Sequence, residues 1–264
     1  MGADALPSTD RPALNRGPAV VGIVVALAGE ARALAPGIGP DGIHPLAENV
    51  RVIVCGVGPE RAREAARRLA ASGVHALASF GTAGALASEL SSGAWLLPQR
   101  ILTEDGRFFS AAHDWRARLM HLLRRAADPR PLLSVSAPLF TREAKAEAAR
   151  RTGACAVDME SAAIAAVAAE CGLPFLCLRA VVDRADQTLP RAAIEGVDMY
   201  GRARCLALAA ALLSRPGELP ALWRLGRGFA RARRALALAL ERVGRDLAFP
   251  APGEPAAAPR ATTP

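Results

Sequence analysis

The sequence predicts an α/β protein in which helices cover both sides of a central β-sheet. Short apolar runs typical of strands alternate with alanine-rich or amphipathic segments typical of helices. The first run, VVGIVVAL (20–27), has no polar side chain, which is typical of a central strand buried on both faces. The chain has 264 residues, enough for one large domain with a sizeable core. Together these observations favour a three-layer α/β/α sandwich.

Six further predicted strands follow in chain order. They are RVIVCGVG (51–58), ALASFGTAG (76–84), AWLLPQRILT (94–103), LLSVSAPLF (132–140), ACAVDME (154–160) and PFLCLRAVVD (174–183). The predicted helices between them are GPERAREAARRLAAS (58–72), HDWRARLMHLLRRAA (113–127), TREAKAEAARR (141–151) and SAAIAAVAAECG (161–172). Thr141 is a suitable residue to begin the third helix, and Gly172 followed by Pro174 ends the fourth.

The composition limits which class of protein and which cellular compartment fit the sequence. Hydrophobic residues make up 52% of the chain and aromatic residues only 4%, so alanine, leucine and valine must fill most of the core. No apolar run approaches the ~20 residues of a membrane-spanning helix, and the N-terminus lacks the apolar segment of a secretory signal. Five scattered cysteines without a CxxC pair indicate buried, reduced thiols rather than disulfides or a zinc site. We therefore expect a cytoplasmic protein without a bound metal.

Positive charge is concentrated at the C-terminal end of the chain. The net charge is +8, and residues 215–264 contribute nine arginines and four acidic residues, or +5 of that total. Within 219–249, apolar residues recur at helical spacing and arginines fill much of the remaining surface; the apolar residues are Leu222, Leu225, Phe229, Leu236, Leu240, Val243 and Leu247. Gly226 and Gly228 weaken the beginning of this helix.

Two interpretations of the basic amphipathic helix remain open. It could pack on the body of the protein or on a dimer partner, or it could lie on a membrane and be attracted to anionic lipid. Nucleic-acid binding is not favoured, because no recognised module accompanies the charge. The predicted organisation is a catalytic domain (18–214), a helical extension (215–249) and disordered ends (1–17 and 250–264).

Candidate site residues stand where predicted strands end, because ligands of open α/β sheets bind at the carboxyl ends of the strands. Glu30 follows the first strand and could alternatively interact with a helix N-terminus. GVGPE (56–60) and FGTAGAL (80–86), the latter around Thr82, are predicted glycine-containing turns before helices. Their backbone N–H groups could hold an anion or a sugar hydroxyl.

The stretch AVDMESAAIAA (156–166) places two acidic residues in an otherwise apolar segment. Strand alternation puts Asp158 and Glu160 on one face and Met159 on the other. Two unpaired buried carboxylates would repel each other, whereas a ligand with two hydroxyl donors would satisfy such a carboxylate. The flat side of a sugar would suit Met159. The alternative is that both acids are solvated at the end of the strand.

Asp183 ends the last apolar run, in VVDRADQ (181–187). Apolar surroundings favour the protonated form of a carboxyl group, which is the form that a general acid requires. Arg184 or Arg179 could instead neutralise Asp183 in a purely structural pair.

The order of these motifs resembles the nucleoside phosphorylase superfamily. Glu30 after the first strand, then FGTAGAL, AVDMESAAIA and LRAVVDRADQ, is most similar to its hydrolytic branch, the methylthioadenosine/S-adenosylhomocysteine nucleosidases. The resemblance runs from about Val20 to Leu213. It implies a mixed central sheet, cleavage of a purine N-glycosidic bond without a cofactor, and a homo-oligomer, commonly a dimer.

The resemblance also implies roles for individual residues. Asp183 would hydrogen-bond purine N7 and donate a proton as the base departs. Glu30 would position and activate the attacking water, with Thr82 near the sugar and the nucleophile. Phe140, at the end of its strand, would stack on the base.

The remaining implied roles belong to the AVDMES stretch. Glu160 would accept hydrogen bonds from the ribose 2′- and 3′-hydroxyls, and Met159 would pack on the sugar. Asp158 would contribute to substrate binding by orienting the loop.

Hydrolysis and phosphorolysis are distinguished by one position of the motif. Bacterial phosphorylases of this superfamily have an arginine three residues before the hydroxyl residue of the glycine-rich turn, and this chain has Ser79 there. This difference favours hydrolysis. Arg32 and Arg61, near the same sheet edge, leave phosphate binding open.

Two departures from the nucleosidases bear on the substrate. The segment after LLPQRILTEDGRFFSAAHDW (96–115) is compact, which suggests an open 5′ pocket, and the basic tail suggests contact with a membrane surface. Together they resemble the hopanoid-associated branch, which implies conversion of adenosylhopane to ribosylhopane and adenine, or to phosphoribosylhopane if phosphate attacks. The alternatives are a soluble methylthioadenosine/S-adenosylhomocysteine nucleosidase and a non-catalytic nucleoside-binding or membrane-scaffold protein. The last is disfavoured because Glu30, Glu160 and Asp183 are all present.

Overall fold

The computed structural model describes residues 19–40 and 42–250. The strands are β1 (Val21–Val25), β2 (His44–Ala47), β3 (Val50–Val54), β4 (Ala76–Ala85), β5 (Trp95–Leu96), β6 (Arg100–Thr103), β7 (Phe108–Ser110), β8 (Leu132–Ser134), β9 (Ala156–Asp158) and β10 (Phe175–Val181). The helices are α1 (Ala28–Leu34), α2 (Pro59–Ala71), α3 (His113–Leu122), α4 (Arg142–Thr152), α5 (Ser161–Glu170), α6 (Arg191–Glu195), α7 (Cys205–Ser214) and α8 (Leu219–Val243), with a 3₁₀ turn at Pro216–Glu218.

The strands form one mixed sheet in the order β2-β3-β1-β4-β9-β8-β6-β7, with β10 paired to β4 and β5. The long strand β4 joins its parts. It runs parallel to β1 at its start and parallel to β10 from Leu77 to Ala83. Its last residues, Gly84 and Ala85, pair antiparallel with β9. The predicted α/β fold with a mixed central sheet is confirmed.

Alternating side chains of the sheet divide the core into two layers. Val21, Ile23 and Val25 of β1 point into a cluster with α1, α3 and α8. Val24 of the same strand points into the opposite cluster, which contains residues of α2 and α5. Helices therefore cover both faces of β1, which explains why this strand carries no polar side chain.

Several predicted elements differ in extent from the observed ones. The run 94–103 is two strands, β5 and β6, separated by a segment that contains Pro98, which cannot donate to a strand ladder. The run 132–140 forms a strand only over Leu132–Ser134, so Phe140 lies in a loop and not at the end of its strand. The short strands β2 and β7 and the helices α6 and α7 were not predicted.

The predicted glycine-rich turn FGTAGAL is wrong. Residues 80–85 are the second half of β4, and the next helix after them, α3, begins only at His113. The prediction of uniformly buried thiols is also wrong in part, since Cys171 and Cys205 are exposed while the other three cysteines are buried.

The predicted C-terminal helix is present as α8, and its second half packs on the body of the protein. Its buried residues are Gly228, Ala232, Ala235, Leu236, Ala239, Leu240 and Val243. They contact α1 and β10, and Trp95 donates from Nε1 to the Ala235 carbonyl at 2.7 Å. Of the two interpretations left open by the sequence, packing on the body therefore applies to this half of the helix. The ends predicted to be disordered lie outside the described residues, apart from Pro250.

Among the described residues, no single helix is long and apolar enough to cross a membrane. Residues Cys205–Ser214 and Pro216–Val243 meet the criteria of length and composition only as a pair, and that pair is bent by 109°.

Two glycines of α8 give a test of its packing. A Cβ on Gly228 would lie 2.2 Å from the Val182 carbonyl oxygen, whereas a Cβ on Gly226 would meet nothing within 4 Å. We expect Gly228→Ala to lower the free energy of unfolding by ~1–3 kcal/mol, because it forces α8 away from the end of β10. Gly226→Ala is the matched control and should raise it by up to ~1 kcal/mol through helix propensity. Chemical denaturation of both variants measures the difference, and equal effects would contradict the close packing of α8.

Candidate active site

A buried arginine forms the centre of the candidate site. Arg179 lies on β10, whose seven residues are all buried, and its own exposure is 1%. Its Nη2 is 2.6 Å from Asp158 Oδ2 and 3.7 Å from Glu160 Oε2. Nη2 also donates to Ser79 Oγ at 2.7 Å, and Nη1 donates to the Thr82 carbonyl at 3.4 Å. Arg179 therefore holds the ends of three chain segments together.

Sequence reasoning considered Arg179 only as a neutralising partner for Asp183 and missed this role. The signal was present, since an arginine inside the apolar run PFLCLRAVVD must be paired when that run is a central strand. Ser79, the position at which phosphorylases of the superfamily carry arginine, is fully buried beside Arg179 and Ser161.

The two acids of the DME motif do lie on the same side, because both contact one guanidinium. Asp158 is the last residue of β9, and its carboxylate also accepts the backbone N–H and the hydroxyl of Ser161 at the start of α5. Its contacts are thus with Arg179 and with the first turn of α5. These contacts favour a positioning role for Asp158, and direct contact with a substrate stays a prediction.

Glu160 occupies the N-cap position of α5 and is 6% exposed. Its Oε1 accepts the backbone N–H of Gly58 at 3.0 Å. The predicted GVGPE turn before a helix is therefore present, but the Gly58 N–H serves a carboxylate of the protein. Burial raises the pKa of Glu160 to about 7, the Arg179 guanidinium opposes that shift, and the Asp158 carboxylate adds to it. Met159, the residue between the two acids, is half-buried.

Glu30 lies in the first turn of α1 and is 1% exposed. Its Oε1 accepts the Thr82 backbone N–H at 2.8 Å and the Thr82 hydroxyl at 2.6 Å. Its Oε2 accepts the Leu27 N–H at 3.0 Å, so the alternative interaction with a helix N-terminus is also real. Burial raises the pKa of Glu30 above its ordinary value, and the Arg179 guanidinium partly offsets this effect.

Gly81 provides the space in which Glu30 and Arg179 approach β4. A Cβ at this position would lie 2.6 Å from Arg179 Nη1 and 2.7 Å from Glu30 Oε2. Three residues further along β4, a Cβ on Gly84 would be 3.3 Å from Asp183 Oδ1. The two glycines of the FGTAG segment thus make room for the two predicted catalytic carboxylates, which is a different function from the predicted turn.

Asp183 follows β10 and is 9% exposed. Its Oδ2 forms an ion pair with Lys145 Nζ from α4. The same Nζ donates to the carbonyl oxygens of Arg184 and Gln187, each at 2.9 Å. The cation at Asp183 is therefore Lys145, a residue that sequence reasoning missed, and neither Arg179 nor Arg184. Lys145 is the only lysine of the sequence, beside 32 arginines, and this contrast was the signal; the alanines, glutamates and arginines of α4 do not by themselves predict that it is buried.

Phe140 lies in the loop that follows β8. Its carbonyl accepts the Leu189 N–H at 2.8 Å, and the Arg191 guanidinium lies 5.8 Å from its ring centroid. The ring is thus beside the segment that follows Asp183. Its stacking on a base stays a prediction.

The charges of the site are separated along β4. At one end, Glu30, Asp158 and Glu160 surround Arg179, so carboxylates outnumber guanidinium groups. At the other end Asp183 is paired with Lys145. Gly81 and Gly84 are three residues apart, which corresponds to about 10 Å along a strand. An excess of buried carboxylates can stabilise positive charge that develops on a bound molecule.

Comparison with known proteins places the chain in one family. The phosphorylase superfamily matches residues 43–214, well over half of the chain, and the protein belongs to this superfamily. The prediction of an enzyme that is a nucleosidase or a phosphorylase is confirmed at the level of this family. A search of curated protein sequences finds no match.

Solved structures share the fold at low sequence identity. The 5′-methylthioadenosine/S-adenosylhomocysteine nucleosidase of Helicobacter pylori is 17% identical, with a TM-score of 0.63 over 84% of this chain and 95% of that one. The futalosine hydrolase of the same organism is 17% identical, with a TM-score of 0.63 over 86% and 96%. The S-adenosylhomocysteine nucleosidase of Streptococcus pyogenes is 17% identical, with a TM-score of 0.64 over 88% and 97%. The chain therefore has a nucleosidase-like fold, and its resemblance to the hopanoid-associated branch stays a prediction.

The raised pKa of Glu160 predicts a pH dependence of stability. Because its folded pKa of about 7 exceeds the ordinary value of 4.5, the folded state favours the protonated form. Its contribution is fully present below pH ~4.5 and is lost as the pH rises through about 7, by at most about 3 kcal/mol. Glu160→Gln should remove this part of the dependence of the free energy of unfolding on pH, which is measured by denaturation at several pH values between 5 and 8. Glu143→Gln, on the exposed side of α4, is the control, and an unchanged slope in Glu160→Gln would contradict the assignment.

The Lys145–Asp183 pair predicts a large effect of removing its cation. We expect Lys145→Met to lower the free energy of unfolding by ~3–5 kcal/mol, because Asp183 and two carbonyl oxygens lose their buried partner. Arg150→Met removes a cation of the same helix that pairs with Glu147 at the surface, and should cost less than ~1 kcal/mol. Thermal and chemical denaturation compare the two variants. Similar small effects would show that Lys145 does not hold Asp183.

Proposed function

We propose that the protein hydrolyses the N-glycosidic bond of a purine nucleoside. One observation favours water over phosphate as the attacking nucleophile. The backbone N–H groups of Gly58 and Thr82, which could have held an anion, donate instead to the carboxylates of Glu160 and Glu30. A carboxylate in this place repels phosphate and can accept a proton from water.

Other positions support the same choice. Ser79 is buried beside Arg179 and offers no cation to a phosphate. Arg32 and Arg61 are exposed, and Arg61 donates from Nη1 to the Val57 carbonyl at 3.2 Å. Both side chains lie outside the cluster of buried charges.

In the proposed reaction, the sugar lies at the carboxylate-rich end of the site. Glu160 accepts the ribose hydroxyls and Met159 packs on the sugar. Glu30 accepts a proton from water while the water oxygen forms a bond to C1′. The C1′–N9 bond breaks and its electron pair leaves with the base. The positive charge that develops on the sugar is stabilised by the excess of carboxylates around Arg179.

The base leaves at the opposite end. Asp183 enters the reaction in its protonated form and delivers that proton to N7, which makes the purine a good leaving group; the carboxylate that remains pairs with Lys145. Lys145 holds Asp183 in place and adds positive charge where the departing base carries its electron pair. Phe140 stacks on the base. The products are the free purine and the sugar, and no cofactor takes part.

For the substrate, we propose an adenine nucleoside with a large 5′ substituent, namely adenosylhopane, with ribosylhopane as the product. The compact segment after 96–115 and the resemblance of the sequence to the hopanoid-associated branch support this choice. Methylthioadenosine is the soluble alternative, and the two substrates are distinguished in one assay.

Release of free adenine tests the proposal. Purified protein in detergent is given adenosylhopane or methylthioadenosine, each with and without phosphate. We expect release without phosphate, a preference for the lipid substrate, and a loss of about 10²–10⁴-fold in kcat for Glu30→Gln and Asp183→Asn. Asp186→Asn is the control because this exposed residue pairs only with Arg184 in the structure and should retain activity.

Each contrary outcome removes a specific part of the proposal. Strict dependence on phosphate would make the enzyme a phosphorylase and end the role of Glu30 as a water activator. Preference for methylthioadenosine would overturn the lipid substrate. If neither nucleoside releases adenine while the melting temperature is normal, the nucleosidase proposal fails.

A further inference from the structure

Helix α7 presents apolar side chains to solvent. Its sequence, CLALAAALLS, contains no charged residue. Leu208 and Ala211 face the protein, since a Cβ on Gly196 would touch Leu208 and Ala211 is buried. The opposite side carries Leu206, Ala209, Ala210 and Leu213, which share one face at helical spacing and are all exposed. A surface helix of a soluble domain normally has polar residues on this side.

The exposed apolar side chains of the protein are concentrated in this region. Eight large hydrophobic residues are exposed in the described part of the chain, and six of them fall between positions 194 and 223. They are Ile194, Met199, Leu206, Leu213, Leu219 and Trp223, and we call them the apolar surface. Leu206 and Leu213 are 89% and 85% exposed. Because Leu206 and Leu213 share an exposed face of a helix without charged residues, and further exposed apolar residues follow in the adjoining elements, the apolar surface needs a partner.

Secondary structure holds the apolar surface together. Helix α6 packs on α7, and the turn Pro216–Glu218 contacts both α7 and α8. Glu218 accepts the Ala192 N–H at 2.8 Å, and Arg215 pairs with Glu195 at 2.8 Å. The apolar surface is therefore a built part of the fold.

Arginines flank the apolar surface. Arg202 and Arg204 precede α7, and Arg224 and Arg227 follow Trp223 in α8; all four are exposed. The Arg227 guanidinium lies 4.5 Å from the Trp223 ring centroid. The acidic residues nearby are engaged within the fold, because Asp198 accepts the N–H groups of Tyr200 and Arg202 and Glu218 accepts that of Ala192. The flank of the apolar surface is consequently positive.

Apolar side chains flanked by arginine match the interface of an anionic bilayer, in which acyl chains lie below phosphate groups. A second copy of the chain fits less well. A two-fold interface over the apolar surface would bring the arginine-bearing flanks of two copies together, and the same excess of positive charge on both sides is repulsive. The sharp bend between α7 and α8 also suits a helix pair that lies on a membrane rather than one that crosses it.

We propose that the apolar surface docks the protein on an anionic lipid bilayer, with Arg204, Arg224 and Arg227 contacting the phosphate groups. This site overlaps the predicted contact through 219–249 in the first turns of α8 and extends it to α6 and α7, because the second half of α8 is packed on the body. The docking proposal is based on the exposure of apolar side chains and the charge around them, and it does not depend on the nucleosidase proposal. Its place is next to the candidate site, since Met199 accepts the Val57 N–H at 2.9 Å and Tyr200 accepts the Ala28 N–H at 3.0 Å.

Co-sedimentation of the full chain with vesicles tests the proposal. We expect binding to vesicles of phosphatidylglycerol and phosphatidylcholine, weak binding to phosphatidylcholine alone, and release at high salt. Arg224→Glu with Arg227→Glu should weaken binding on the order of 25-fold or more, at about fivefold for each arginine lost. Leu206→Glu with Leu213→Glu should abolish binding, because both acyl-chain contacts are replaced by charges that the lipid repels.

Matched variants distinguish an effect of the apolar surface and its flank from a general effect of net charge or polarity. Arg150→Glu with Arg151→Glu makes the same change of net charge on α4, and Leu238→Glu makes the same polar change at a half-exposed position of α8. Both should bind as wild type does, and circular dichroism melts establish that every variant is folded. Equal losses in these controls, or no binding of the wild type to anionic vesicles, would overturn the proposal. Self-association of the wild type that disappears in Leu206→Glu with Leu213→Glu, measured by light scattering without lipid, would assign the surface to a second copy and also overturn it.

Discussion

The contact between the Arg179 guanidinium and the acids around it is the interaction on which the site depends. Asp158 and Glu160 come from the junction of β9 and α5, and Glu30 comes from α1, so two segments distant in sequence bring their acids to one side chain of β10. Without the guanidinium, three buried carboxylates would repel one another and lose hydration with no compensation. With it, the cluster still has more negative than positive groups. Burial, to which the Asp158 carboxylate adds, raises the pKa of Glu160, and the excess of carboxylates suits the site to a developing cation.

Strand β4 converts this cluster into a site with two different ends. Gly81 admits Glu30 and Arg179 against the strand, and Gly84 admits Asp183 further along. The ion pair between Lys145 and Asp183 leaves the second end without net charge but with an ammonium group in place, whereas the first end is negative. A glycosidic bond that breaks between these ends would have its sugar near carboxylates and its base near a cation. The polarity of the reaction is thus built into the order of residues along one strand.

The C-terminal helices show how packing can reverse an expectation from composition. The amphipathic pattern of 219–249 predicts that one face is covered, and the second half of α8 covers it against α1 and β10. Helix α7 is apolar on all sides, which normally marks a buried helix, yet its outer face is exposed. Gly228 contributes to this result, because only a residue without a side chain lets α8 approach the Val182 carbonyl. The apolar surface left on α7 borders the segment that contacts the turns beside Glu30 and Glu160.

The sequence by itself determined the α/β class, the existence of α2, α3, α4, α5 and α8, and the motifs that contain the acidic residues, because periodicity and strand ends are local properties of the chain. It did not determine which charges pair. An arginine inside an apolar strand indicates that Arg179 is paired but not with which acid, and only the tertiary structure brings Arg179 to Asp158 and Lys145 to Asp183. The same holds for FGTAG, which has the composition of a turn but is held as a strand by β10 over most of its length and by β9 at Gly84. Pairing and strand extension depend on neighbours that are distant in sequence, and a buried charge or a glycine shows its function only when those neighbours are in place.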